Sequence, residues 1–387
     1  MSSIEVEVVE PDALGAAGTA AWATFRAASP QLASPYFDLR YVRAAAALAP
    51  HGAVAVIHRH GAICGFLPFQ RRGTLLQPLG APLSDYHGLV AAPNAAIPLA
   101  EVLDHLKAQR LRFSSLVGAP PAHSTPLFAM AADLSGGFAG WEAARQAAGR
   151  GGFLKDKRRR MRQFEREVGP VRFSLGKAQP AMLDQIIALK RAQIRRTGQH
   201  DIFACGWTIR LLHRLAETAE PDFGLQIATL HAGDQLAAAE IGLRGGHTHH
   251  LWFPVFDPQL ARYSPGSLMT IETLRAAAGQ GVRQVDFGPG FEAYKNDFAT
   301  PSHVVHDGVV GARLVSPDLR QRHAAVARFE RRIDRIAACE PQWPGRLQGA
   351  SVFAADIARR RPGVSLGLGG LGAAIGLGVS LSLLNEG

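Results

Sequence analysis

A chain of 387 residues, 47% hydrophobic and 19% charged, is long enough for two cores and too apolar for a disordered polymer. Its formal charge of +10 is concentrated, with a net +4 in residues 155–167 and a net +5 in residues 318–361. That excludes a uniformly basic nucleic-acid binder and fits an anionic cofactor, an anionic lipid surface or solvated helix faces.

Three cysteines, Cys64, Cys205 and Cys339, are far apart with no Cys-x-x-Cys spacing. They suggest neither a disulfide framework nor a zinc site, and a cytoplasmic setting is expected. The start, MSSIEVEVVEPDALG, lacks the basic and apolar segments of a signal peptide.

In chain order, IEVEVV (4–9) alternates apolar and acidic residues and predicts an edge strand. A helix is expected over 11–28. SPYFDLRYVRAAAAL predicts another, capped by Ser34 with Pro35 in its first position. AVAVIHRHGAICGFLPFQRR reads as two strands joined at His60-Gly61. PLGAPLSDYHGLVAA reads as a loop and a strand, IPLAEVLDHLKAQ as an amphipathic helix, and LRFSSLVG as a strand. A glycine-rich break at Gly149, Gly151 and Gly152 opens the second half. There KDKRRRMRQFEREVG predicts a basic helix and VRFSLGK a strand. Leu183, Ile186, Ile187 and Ile194 form a helical stripe. TIRLLHRLAETA is a further helix. A three-stranded meander follows, turning at 232–234 and 245–246, then a helix over 267–278 and the strand VRQVDFG.

Each half thus runs helix, helix, paired strands, helix, strand. The expected organisation is a first domain at 1–150, a second at 151–316, a basic helical arm at 317–361 and a Gly-rich apolar tail at 362–387. Residues 362–384 are uncharged and near membrane-spanning length, but seven glycines and three serines dilute them. A flexible or surface-associated tail is expected, with membrane contact as the alternative.

The stretch 237–298 carries the functional signal. A helix beginning just beyond a strand presents free amides, a ready anion site, and a thioester cofactor with a pyrophosphate suits it. The strings SPYFDLRYV, GFLPFQ, LSDYHGLV, KDKRRRMRQFERE, WFPVFDPQLARYSPGSLM and DFGPGFEAYKNDF together resemble the CelD-type branch of the GNAT acyltransferase superfamily, which is related to the FemAB-like peptidyltransferases. The resemblance spans roughly residues 30–300. It implies an α/β (α+β) fold of two GNAT-like domains with mixed, largely antiparallel sheets flanked by helices. The second domain would hold acetyl-CoA or another acyl-CoA, and the first, degenerate, would face the acceptor. The phosphate loop usual in GNATs, Gln/Arg-x-x-Gly-x-Gly/Ala, is absent, and 263–267 stands in its place.

Candidate residues follow from this layout. Ser264 would cap the helix, Pro265 would start it, and Gly266 and Ser267 would offer amides to a pyrophosphate, aided by Arg262, Tyr263 and the basic helix. The plain alternative is a capped helix without ligand. Glu240 is a candidate general base, or a half-exposed partner of Arg244. His247, His249 and His250 do not converge as a metal site, because alternation sends His249 and His250 to opposite faces. His250, facing with Trp252, is an acid–base candidate. Tyr294 is a candidate proton donor to a leaving thiolate, or packs with Phe291 and Phe298. Lys295 is a candidate phosphate ligand, and Asp286 a candidate acceptor ligand. Asp85, Tyr86 and His87 suit an acceptor pocket between domains, or mere turn chemistry.

The expected activity is transfer of an acyl group, with acetyl as the expected one, to an amine or hydroxyl, with no metal. The acceptor would be a small molecule or saccharide of exopolysaccharide or cell-envelope synthesis. An anionic membrane surface or a polysaccharide synthase would be the partner. Two alternatives stay open: aminoacyl transfer from charged tRNA, and a non-catalytic scaffold.

Overall fold

The computed structural model describes residues 4–122, 124–197, 199–218, 220–290, 292–311, 336–340 and 342–360. The tail at 362–387 lies outside the described residues, as do Phe291 and the arm before residue 336. The first half holds β1 (Ile4–Val9), α1 (Gly15–Ala27), α2 (Leu39–Leu48), β2 (Gly52–Arg59), β3 (Ala62–Arg72) and β4 (Leu75–Pro78). It continues with β5 (His87–Gly88), β6 (Val90–Ala91), α3 (Leu99–His105), β7 (Arg110–Val117), β8 (Thr125–Asp133) and α4 (Gly137–Arg145). The second half holds α5 (Gly151–Glu167), β9 (Val171–Lys177), α6 (Pro180–Thr197), α7 (Trp207–Glu217), β10 (Phe223–Ala232), β11 (Gln235–Gly245) and β12 (Thr248–Phe256). After these come α8 (Pro265–Gly279), β13 (Gln284–Pro289), α9 (Lys295–Phe298) and β14 (Thr300–Gly311), and α10 (Trp343–Arg360) follows in the arm.

One sheet runs through both halves in the order β1-β2-β3-β4-β7-β14-β8-β13-β12-β11-β10-β9, with helices on its faces. Pairing is antiparallel except for β4 with β7, β5 with β7 and β12 with β13. Each half is an antiparallel run ending on one parallel strand, β7 or β13. The halves then exchange closing strands. β8 of the first half pairs with β13 of the second, and β14 of the second pairs with β7 of the first. β8 and β14 also pair with each other, so the halves share one ladder of hydrogen bonds. A mixed, largely antiparallel α/β fold with two like-ordered halves is therefore what the chain forms.

Several local expectations shift. Ser34 accepts from the Tyr36 amide, but only a 3₁₀ turn follows, and α2 starts later, capped by Asp38, which accepts from the Arg40 amide at 3.0 Å. Residues 11–13 are a separate 3₁₀ turn before α1. The glycine-rich break is no linker: α4 runs through a π turn into α5, with Gly149 absorbing the kink at φ 79°. Cys205 and Cys339 form a disulfide, contrary to the expectation from spacing, while Cys64 is free. Among the described residues, no helix is long and apolar enough to cross a membrane.

The largest core cluster crosses the junction. Trp22, Tyr36, Tyr41 and Phe66 from the first half belong to it, with Leu183, Leu211, Phe223, Ile241 and Trp252 from the second. Burying such side chains fully stabilises by roughly 1.5–3 kcal/mol each. At the rim, Arg40 of α2 bonds Asp38 at 2.8 Å, Glu220 at 2.6 Å and Asp222 at 2.7 Å, and stacks over Phe223. Arg26 adds a second cation to Asp38 at 2.7 Å.

Asp38 thus caps a helix, anchors two arginines and is buried. Asp38→Ala should lower unfolding free energy by about 3 kcal/mol, read as a lower urea midpoint at unchanged slope. Burial works against the Asp38 charge, but Arg40 and Arg26 hold its pKa below the usual 3.8. Its contribution is complete above pH 3.8 and should fade as pH falls through the lowered value.

Candidate functional site

Parallel strands β12 and β13 pair over only three residues, ending at His250 opposite Asp286. Beyond that pair β12 continues to Phe256 with β11 alone, while β13 keeps its pairing with β8. The two strands part and leave the free edge of β12 facing a gap. An irregularity opposite Ile241 and Gly242 leaves Trp252 as the extra residue of β12, bending the strand there.

The vertex of the gap is built from three residues of two halves. His250 is fully buried. Its Nε2 lies 2.8 Å from Asp85 Oδ2, and its Nδ1 makes a 3.4 Å ion-pair contact with Asp286 Oδ2, short of hydrogen-bond alignment. Asp286 Oδ1 accepts from the Tyr86 hydroxyl at 2.9 Å and from the Gly288 amide at 2.8 Å. Gly288 adopts φ 74°, which suits a glycine and turns its N–H inward. Burial alone would strip the proton from His250, but Asp286 and Asp85 overcome it and hold the imidazole pKa up to about 9. Asp286 is held below the usual carboxylate range despite burial, chiefly by His250. His250 is therefore an imidazolium at neutral pH and has no lone pair for a proton. Of the acid–base role expected of it, the base half is closed in that form, while its charge acts on the groups around it. The Tyr36 ring stands edge-on to His250 at 5.1 Å and to Trp252 at 5.6 Å.

Glu240 is 2% exposed and makes no pair with Arg244, which instead donates to Gln280 O and Gly246 O. Its Oε1 is buried without a partner. Burial pushes its pKa up to about 8, against the opposing pull of Lys190 and His250. Lys190 of α6 donates to Pro254 O on β12 at 2.9 Å, and burial lowers its pKa. Tyr294 stands half-exposed, and partial burial together with Glu240 and Glu292 pushes its phenol up to about 12. Glu240, Lys190, His250 and Tyr294 thus share one electrostatic neighbourhood.

The predicted first-half residues divide. Asp85 and Tyr86 reach the vertex, as described. His87 does not: burial pushes it down to about 4, its Nε2 faces Pro68 O at 3.2 Å, and it lines a small cleft with Tyr36, Tyr41, Ser84 and Tyr86. His249 points the other way, its ring over Gly242, and burial first and then His250 push it down to about 3.

At the start of α8, Gly266 is open, since an added Cβ would meet only Phe256 Cδ1 at 3.9 Å. Pro265 has no N–H, so Gly266 and Ser267 supply the first free amides of the helix. Lys157 of α5 stands beside them, 3.3 Å from Ser264 Oγ, and Arg160 donates to Arg262 O. Three expectations are corrected here. Ser264 adopts the left-handed conformation and its side chain caps nothing. Tyr263 is buried, stacked on Phe164 at 4.6 Å, and spends its hydroxyl on Glu167 at 2.9 Å, with Arg262 against the same pair. Lys295 is buried and spends its ammonium on Glu292 at 2.7 Å, Pro289 O and Gly288 O, so it faces no phosphate. Lys157, Lys190 and Tyr36 were not singled out in the sequence. Lys157 and Lys190 look like ordinary helix cations, and only the packing aims them.

Comparison with known proteins bears on the second half. Residues 151–296 match the family model described as acetyltransferase (GNAT) domain. That GNAT match contains Lys157, Glu240, His250, Gly266, Asp286 and Tyr294 and excludes Asp85. No curated protein matches the chain. The fold is similar to a GCN5-related glucosamine N-acetyltransferase region of a fungal multi-domain GH3 β-N-acetylglucosaminidase, at 12% identity and TM-score 0.43. That match covers 80% of this chain but spans only 38% of the fungal one. It is also similar to a tandem GNAT protein from the clavulanic acid biosynthesis pathway, at 10% identity and TM-score 0.47, covering 81% of this chain and 100% of that one. FemX is similar at 10% identity and TM-score 0.44, over 70% of this chain and 90% of that one.

The vertex predicts a pH dependence of stability. Folded His250 keeps its proton to about pH 9 against 6.5 for a free imidazole, so its contribution is complete below pH 6.5 and is lost as pH rises through about 9. Melting temperature should fall over that window, and His250→Gln should flatten the fall while lowering stability at pH 6.5. A wild-type curve that is level from pH 6.5 to 9 contradicts the buried imidazolium.

Proposed function

We propose that the chain transfers an acyl group from an acyl-CoA thioester to an amine or hydroxyl acceptor. The carrying observation is the end of the β12–β13 pairing at His250 and Asp286, with Gly266 of α8 next to Phe256 at the far end of β12 and Glu240 opposite Pro254 of the same strand. Gly266 fits a diphosphate because the space beside it is open up to Phe256 Cδ1, and Lys157 adds a cation. Bound acyl-CoA supplies a carbonyl activated as a thioester.

The chain's residues then orient and move protons. The free edge of β12 lines the gap and fixes the approach of the acceptor. Glu240, in its ionised form, accepts the acceptor's proton, with Lys190 and His250 favouring that form. Tyr294, kept protonated by its surroundings, donates to the leaving sulfur. Asp85 brings the first half to the vertex, which supports an acceptor held at the junction of the halves. The resemblance to CelD-type sequences supports a saccharide acceptor of the cell envelope.

Gly266→Asp separates binding from folding. A carboxylate in the first helical turn is favourable to the helix dipole by roughly 0.3–1 kcal/mol, yet repels an anion. The variant should melt no lower than wild type and lose the upward melting shift that acetyl-CoA gives. A retained shift would sink the assignment of this helix end.

Glu240→Gln tests the base. Below pH 8 the folded carboxyl is already neutral, so the amide should fold well. Acyl transfer should fall by roughly 10²–10⁴-fold with acetyl-CoA binding intact. In wild type, kcat/KM should climb as pH rises through about 8, as Glu240 ionises. A flat profile from pH 7 to 9 removes Glu240 from the proton path.

A further inference from the structure

The disulfide joins two segments distant in sequence. Cys205 lies just before α7, and Cys339 belongs to the described part of the arm. Cys339 is fully buried and His200 nearly so. Ligand atoms of His200, Cys339 and Glu340 all lie within 4.8 Å of one another. The Cys205 sulfur adjoins them through its bond to Cys339.

We propose that the reduced chain holds one zinc-like divalent metal ion between Cys205, Cys339, His200 and Glu340. Cys339, His200 and Glu340 supply three donors in place, and Cys205, freed from its bond to Cys339, would supply the fourth of a set of the borderline-soft kind that zinc takes tetrahedrally. The surroundings hold the donors in place. Both sulfurs stand 3.3 Å from Ile202 O, and Trp207 Nε1 donates to Cys339 O at 3.0 Å. Gly349 of α10 packs close here, since a Cβ there would come within 2.8 Å of Ile336 Cγ2 and 3.3 Å of His200 Cε1. Burial, and then Asp201, raises the Glu340 pKa above its ordinary value. A thiol reductant supplies the two electrons and two protons that open the disulfide, becoming a disulfide itself, and the metal then displaces the thiol protons. The ion would fasten the arm to the α6–α7 connection without the covalent bond. This site is independent of the acyl-transfer reading.

The test uses the full chain purified with a thiol reductant and no chelator. Atomic emission should find one zinc per chain. Cobalt(II) titration of the zinc-free wild type should give a thiolate-to-cobalt absorption band. Cys339→Ser and Cys205→Ser should each weaken metal binding by at least about tenfold, and His200→Ala by about 10–100-fold. Cys64→Ser should bind as wild type. Three outcomes overturn the proposal: a fully reduced wild type that binds neither metal, metal retained by Cys339→Ser, or a disulfide that resists the reductant until the chain is unfolded. The cobalt titration needs no variant, so a misfolded mutant does not rescue the idea.

Discussion

The last parallel pair, His250 opposite Asp286, constrains everything around it. Up to that pair β12 and β13 are one sheet, and beyond it they are two edges with a gap between them. A gap in a sheet leaves main-chain groups unpaired, which is costly unless they are used. The cation on His250 makes the vertex stable. It stands between Asp286, from the strand that leaves, and Asp85, from the other half of the molecule. A buried ion cluster of this kind is weak evidence for stability in general. Here it also fixes position, because removing His250 leaves the buried Asp286 without its cation, and removing Asp286 leaves the buried imidazolium with Asp85 alone.

The exchange of closing strands explains how the first half reaches so far. β8 lies against β13, and β14 lies between β7 and β8. The two halves therefore cannot rock apart without breaking a hydrogen-bonded ladder. Asp85 and Tyr86 arrive at the second half's gap as fixed parts of the site rather than as a mobile lid. The Arg40 cluster and the shared apolar core reinforce the same junction from the other side.

Much of this was legible in the sequence. The meander, the stripe Leu183-Ile186-Ile187-Ile194, the His60-Gly61 turn and the open glycine after Pro265 follow from periodicity and turn chemistry. So does the opposition of His249 and His250. The missed elements have physical reasons. β8 and β14 pair with strands of the other half, so nothing local announces them. The Cys205–Cys339 pair joins residues separated by 134 positions, and spacing carries no sign of it. Lys295 and Tyr263 read as polar groups next to glycine and proline, but both are buried and spend their polar atoms internally. The sequence does not show that two carboxylates converge on the His250 imidazole.

The account stands on a diphosphate held at the start of α8 while the thioester reaches the parted strands. A crystal structure with CoA tests this most directly. The account predicts diphosphate oxygens within hydrogen-bond distance of the Gly266 and Ser267 amides, and the thiol in the gap beyond His250, near Glu240. Diphosphate density anywhere else, or a pantetheine arm that bypasses the gap, would contradict it.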